Sequence, residues 1–446
     1  MAVKTRSELQ SEAVRTILEH HRLIVNWGTG VGKSRVAIET IDSLYIKGKR
    51  RILLFVAESA HKENWHNEFL ECKGRERGEE LFQSVVVECY ASIKKHEGSS
   101  WDLIVADEGH HLRSNKRTVS LSTIRSDYVL ILSATLSDKN DGDELIRTLI
   151  GTYGPFESLH LGVQDAIDNG ILAEPKIYVH LLPLEKVKAP QQVVVGWGKP
   201  WLREEAECNW DEFQVLRQSE SVMNRAYKMT VNCTALQGYQ LLSEWFEMKR
   251  EESEALLEEI ANTLSDKKRK SLLSELRCLE NEIKQYGMRR KMLLGRAKTS
   301  FAKWLIDSYL NKKKFVCFCT DIPQGQALGG ENIIHSQRKG NADVIASFNK
   351  GDIRSIFAVG MIKEGQNLAG IEAGLIVQLG GKERDFVQEF GRALRSRTPE
   401  QHLIVFNDTR DVYYYKNAVG QDQIPGIDAI LQKRAIDKKY IRIVRY

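Results

Sequence analysis

The chain has 446 residues, of which 42% are hydrophobic and 28% charged, a globular composition that excludes a disordered or fibrous protein and leaves room for two or three cored domains. Lys and Arg total 65 against 60 Asp and Glu, a formal net charge of +5, so any preference for a polyanion comes from local patches. The seven cysteines form no C-x-x-C pair, which argues for a reducing compartment without structural disulfides. No apolar run reaches the ~18 residues of a membrane helix, and the polar start MAVKTRSELQSE lacks the apolar core of a signal peptide. The expectation is a soluble cytoplasmic protein without a membrane partner, from a bacterium or, if phage-encoded, in its host.

From about residue 22 to 135, apolar β-rich runs (RLIVNW, RILLFVA, SVVVECY, DLIVADE, YVLILSAT) alternate with amphipathic stretches such as SRVAIETIDSLYIKG. That alternation predicts a parallel sheet covered on both faces by helices. After 165 the pattern lapses, and 184–215, with Trp197, Trp201 and Trp210, gives no assignable element. In residues 239–286, Leu256, Ile260 and Leu264 recur at fours, and Leu272, Leu276, Leu279 and Ile283 at four, three and four. These are apolar helix stripes, so an antiparallel helical hairpin is expected with SDKKRK as its turn. KFVCFCT, ENIIHS, IRSIFAVG, AGLIVQL and QHLIVFN then repeat the α/β texture from about 300 to 407, with Cys317 and Cys319 on one strand face as core. The fold class expected is α/β, two RecA-like parallel-sheet lobes in tandem with a helical insertion. Its domains would be 1–165 as lobe 1, 166–298 as linker and charged insertion, and 299–446 as lobe 2 with a basic tail.

RLIVNW reads as a strand, GTGVGKS as a glycine-rich turn and RVAIETIDSL as a helix, an order that aims backbone N–H groups and the positive helix end at phosphate oxygens. Gly28, Thr29, Gly30, Val31 and Gly32 would form the cradle, Lys33 would neutralise the β and γ phosphates, and Ser34 would hold Mg²⁺. Trp27 stands where the strictest form of this pattern has glycine. WDLIVADEGHH places Asp107 and Glu108 at the carboxyl end of a buried strand, where open α/β sheets bind ligands. Asp107 suits Mg²⁺ and Glu108 suits activation of a water, a pairing that points to hydrolysis.

The loop WGTGVGKS, the box DEGH, SAT at 133–135, KEGQNL at 363–368 and QEFGRALR at 388–395 occur in that order. In this the chain resembles the superfamily 2 helicases and translocases. The resemblance implies an ATP- and Mg²⁺-dependent motor in which Gln10 recognises adenine and Gly365 lines the cleft. It also implies that His110, Ser133, Ala134 and Thr135 couple hydrolysis to lobe motion, and that Gln388, Arg392 and Arg395 act on the nucleotide from the second lobe. Ser59, Lys62, Trp65, Thr320, Gln366 and Asn367 correspond to positions that touch the nucleic-acid backbone. The basic loop Arg113–Arg117 after the box is similar to that of Swi/Snf-type translocases and of branch-migration helicases, whereas QEFGRALR is closer to restriction-type and phage repair helicases. Double-stranded, forked or branched DNA is the expected partner, and a monomer the expected state. The alternatives are an RNA helicase and a nucleotide-gated adaptor that clamps nucleic acid without unwinding it.

Overall fold

Short buried runs of β-branched and aromatic residues form the strands, and their order along the chain fixes the first sheet. Its strands are β1 (Arg22–Trp27), β2 (Ile52–Val56), β3 (Val85–Cys89), β4 (Ser100–Ala106), β5 (Arg125–Ser133) and β6 (Glu157–Leu161). They lie in the order β3-β2-β4-β5-β1-β6, all parallel. The connecting helices are α1 (Arg6–His20), α2 (Lys33–Ile46), α3 (Ala60–Lys73), α4 (Arg75–Gln83), α5 (Asn115–Ser122), α6 (Asp141–Tyr153) and α7 (Val163–Asp168). Thr5 starts α1 with a capping box closed by Glu8, which satisfies two of the orphan N–H groups of the first turn. These elements come from a computed structural model, which describes residues 4–28, 30–58, 60–113, 115–133, 141–196, 205–218, 228–360, 368–380, 398–419 and 438–446.

The second sheet begins earlier in the chain than its apolar texture suggests. β7 (Lys176–Leu182) pairs along its whole length with β15 (Glu400–Phe406). Between them come β8 (Gln191–Gly196), β9 (Glu205–Asn209), α8 (Trp210–Leu216) and β10 (Lys228–Cys233), then α9 (Ala235–Asn262), α10 (Asp266–Ala297) and α11 (Thr299–Ser308). The main sheet resumes with β11 (Phe315–Phe318), α12 (Ile322–Gly329), β12 (Ile333–His335), α13 (Asn341–Lys350), β13 (Ser355–Val359) and β14 (Ala373–Ile376). α14 (Asp411–Val419) and β16 (Ile441–Arg445) follow β15. The resulting seven-stranded order is β12-β13-β11-β14-β15-β7-β16, again parallel. Two parallel-sheet α/β lobes are therefore present, as expected. β16, read from sequence only as a basic tail, is an edge strand of the second.

β8, β10 and β9 make a small three-stranded sheet, so the described residues of the stretch with no sequence signal contribute to a platform. Trp210 packs beside Phe213 on it, whereas Trp197 and Trp201 lie outside the described residues. On this platform stands the hairpin of α9 and α10, sealed at its outer half by Leu256, Ile260, Leu272 and Leu276. Two details differ from the sequence reading. The turn is residues 263–265, with SDKKRK mostly inside α10, because Ser265 caps that helix by accepting from Lys268 N. Leu264 falls past the end of α9 and is fully exposed. Cys317 is buried in β11 with its Sγ 3.7 Å from that of Cys319. No helix among the described residues is long and apolar enough to cross a membrane.

Candidate nucleotide site

β4, β5 and β1 are neighbours in the first sheet, so the phosphate loop after β1, the acidic box after β4 and Ser133 at the end of β5 meet along one sheet edge. Asn26 in β1 stands in register with Ser133 in β5. Asn26 Oδ1 is buried without a hydrogen-bond partner among the described residues, and sequence reasoning had not singled it out.

Gly30 and Gly32 take φ of +91° and +100°, a region that disfavours residues with a Cβ. At Gly32 a Cβ would also lie 2.2 Å from Gln10 Nε2. At Gly28 it would meet Val163 Cγ2 at 2.9 Å. Gln10 is buried in α1 and donates from Nε2 to the Val31 carbonyl at 3.1 Å. Gln10, expected to recognise adenine, thus braces the phosphate loop. It also borders a cleft lined by Ser7, Ser11, Arg15, Arg35 and Glu39, one turn into α2. Lys33 Nζ donates to the Trp27 carbonyl at 3.0 Å. The Trp27 indole is only 1% exposed and packs in the main core. Only its backbone faces the loop, which explains why a large side chain is tolerated there.

Asp107 Oδ2 accepts from Trp65 Nε1 at 3.0 Å, and Oδ1 accepts from Glu108 N at 3.0 Å. The Tyr90 hydroxyl donates to the Asp107 carbonyl at 2.6 Å. Desolvation, helped by the adjacent Glu108 charge, raises the Asp107 carboxyl to about 7, against the pull of the Trp65 N–H and the Lys33 ammonium. A carboxylate so placed is relieved by a cation; together with the glycine cradle this donor set fits a magnesium-bound nucleotide. Glu108 sits at φ +48°, and its Oε2 is 3.5 Å from Nδ1 of the buried His110. The box glutamate and the histidine expected to act in coupling are therefore neighbours.

Other expected residues fall differently. Lys62 is part-exposed on α3, with Glu88 3.8 Å away. Trp65, expected at the nucleic-acid face, is only 4% exposed; its N–H is satisfied by Asp107, so the ring is turned into the lobe. The Thr320 hydroxyl is buried against Gly295, where a Cβ would lie 2.0 Å from it; helix α10 covers it. Arg117 belongs to helix α5 and donates back to the His111 carbonyl at 3.1 Å, so part of the expected basic loop is helical. Ser34 lies in the first turn of α2. Thr29, Ser59, Ala134, Thr135, Gly365, Gln366, Asn367, Gln388, Arg392 and Arg395 lie outside the described residues. Among the described residues no cluster of His, Cys, Asp or Glu forms a separate metal site.

Residues 4–138 match the family described as type III restriction enzyme, res subunit. The chain is 24% identical over 419 residues to the DNA 3'-5' translocase XPB2 of Sulfurisphaera tokodaii, covering 90% of this chain and 82% of the relative. It can also be superposed on the Hef helicase domain of Pyrococcus furiosus with a TM-score of 0.45 and 13% identity, over 92% of this chain and 96% of that one. The family match across the phosphate loop and acidic box, with the ordered motifs and the two parallel-sheet lobes, makes the chain similar to the superfamily 2 helicases and translocases.

Proposed function

We propose that the chain is an ATP-dependent DNA helicase or translocase that couples Mg²⁺-ATP hydrolysis to movement on DNA, with unwinding or remodelling of forked or branched DNA as the outcome. The observation that carries this reading is the pair Asp107 and Glu108 at the end of β4, side by side with Lys33 and touching His110. A clamp without turnover needs the cradle and the cation ligand alone. A strained glutamate beside them is what hydrolysis needs. The similarity to a DNA translocase over nine-tenths of the chain favours DNA over RNA.

When bound, Mg²⁺ offsets phosphate charge and polarises the bond to be broken. Asp107 and Ser34 would hold that ion, and the loop N–H groups would orient the phosphates. Lys33 would leave the Trp27 carbonyl for the phosphate oxygens, an exchange of one acceptor for a charged one. Glu108 would take the proton of the attacking water, and His110 would carry the altered contact towards Ser133. Arg392 and Arg395 would complete the site from the second lobe, so that turnover requires lobe closure.

The test is a pair of assays on wild type and Glu108→Gln, hydrolysis and strand displacement, over duplex DNA, forked DNA and RNA duplexes. The reading expects DNA-stimulated hydrolysis and displacement in wild type and neither in the variant, with ATP binding kept. Displacement that survives in Glu108→Gln would sink the motor, and stimulation by RNA alone would redirect it to RNA. Arg395→Ala should bind ATP but hydrolyse it slowly.

A further inference from the structure

Trp65 belongs to α3, the helix that begins next to Ser59 and carries Lys62, yet its indole N–H ends on Asp107, 42 residues away in sequence. The ring is held by the main core and lies against Phe69, with centroids 6.2 Å apart. An indole N–H can only donate, so it fixes one oxygen of Asp107 without competing as a metal ligand. With Glu108 N on the other oxygen and the Tyr90 hydroxyl on the main-chain carbonyl, the residue is held from three sides. Two of these holds come from the box itself and from the turn Tyr90–His96 that follows β3. The third comes from a different helix, whose part-exposed Lys62, near Glu88, sits one turn before Trp65.

We infer that Trp65 is a positioning residue for the divalent cation: its indole orients the Asp107 carboxylate, and contact of DNA with α3 changes cation affinity through that single hydrogen bond. This rests on the nucleotide-hydrolysing reading above. Lys62 and Trp65 are three residues apart on one helix, so a small rotation or slide of α3 that seats Lys62 on a phosphate moves the indole as well. A hydrogen bond at 3.0 Å weakens steeply with such displacement. Partners that orient a metal ligand from behind are worth roughly 10–100-fold in metal affinity.

The experiment is a Mg²⁺ titration of fluorescent ATP-analogue binding to wild type and Trp65→Phe, with and without a forked DNA duplex, alongside thermal melts. Phe keeps the ring and removes the N–H. The expected result is a Mg²⁺ midpoint raised about tenfold or more in Trp65→Phe, unchanged Mg²⁺-free binding, and a DNA-induced shift of the midpoint in wild type alone. A merely structural role would lower the melting temperature and weaken Mg²⁺-free binding too. Should the variant fold poorly, 5-fluorotryptophan labelling gives a second readout: the Trp65 fluorine resonance should shift in Asp107→Asn and on adding Mg²⁺ with nucleotide. A wild-type midpoint in folded Trp65→Phe, or a fluorine resonance indifferent to both changes, overturns the inference alone. Absence of Mg²⁺-dependent binding in wild type overturns the nucleotide reading with it.

Discussion

Glu108 and His21 are the two non-glycine residues with positive φ among those described. His21 merely closes α1, where a left-handed residue is an ordinary stop signal. Glu108 holds the same backbone region in the acidic box, at a cost of about 1 kcal/mol or more. Glu108→Gly should therefore raise stability by about 1 kcal/mol in a denaturant melt while abolishing hydrolysis; a destabilised variant would mean that the side chain, not the backbone, governs that turn. At Lys33 the expectation is opposite in kind. Lys33→Ala removes one hydrogen bond to Trp27 and leaves the fold within about 1 kcal/mol of wild type, yet should lower turnover at least about 100-fold. Near-normal ATPase in that variant would contradict the site. Both residues were legible in the sequence because loop and box are contiguous motifs. Trp65 was singled out only as a backbone contact, and its bond to Asp107 was not legible, because nothing local signals a partner 42 residues away.

Hairpin and second lobe meet at Lys298, the residue between α10 and α11. Its ammonium is buried, bonded to Asp411 Oδ2 at 2.6 Å and to Gln378 Oε1 at 2.8 Å, and Gln378 Nε2 donates to Asp411 Oδ1 at 2.8 Å. Desolvation lowers the Lys298 pKa, and Asp411 pulls it back. Removing one member strands a buried charge, so Asp411→Ala should cost about 3–5 kcal/mol. The double variant Lys298→Met with Asp411→Leu should recover most of that in the same melts, and no recovery would show that the charges themselves specify the joint. The hairpin's apolar seam was readable from its fours and threes, since helix periodicity is a local property. Its turn was misplaced because Lys and Ser fit a helix as well as a loop. The platform of β8, β9 and β10 was invisible, for strand pairing is non-local and QQVVVG carries too little alternation to announce it.

At the scale of the whole molecule, a buried cluster among the described residues of the second lobe loses stability in acid. Glu400 is held down to about 2 by His402, whose Nε2 is 3.7 Å away, and by Lys313 and Tyr309, the latter donating at 2.9 Å. Burial lowers His180 to about 4, with the neighbouring His402 adding to it, and burial also lowers His402. Their rings stack with centroids 5.3 Å apart, and His180 reaches the Tyr446 hydroxyl at 3.0 Å. The depressed carboxylate contributes stability above its usual range near 4.5 that is lost as pH falls towards 2. The depressed His180 contributes stability above about 6.5 that is lost as pH falls towards 4. Both act in the same direction, against the raised Asp107 carboxyl, which gains stability as pH falls below about 7; in an Asp107→Asn background, urea midpoints should therefore fall progressively from pH 7 to pH 4. His402→Phe should flatten that slope, and an unchanged slope would acquit the cluster.

β7 enters the second sheet before the hairpin is made, and β11 joins the same sheet after it. Leu182 and Leu184 on the way out share one apolar cluster with Ala235, Leu294 and Ala297 at the foot of the hairpin. The long arm is thus a detour from a single lobe that returns to its own starting point, and the chain crosses between lobes before the detour begins. Arms of other lengths or charge could be exchanged at that doorway without disturbing either parallel sheet, which gives evolution, and the protein engineer, a part that varies separately from the candidate nucleotide site.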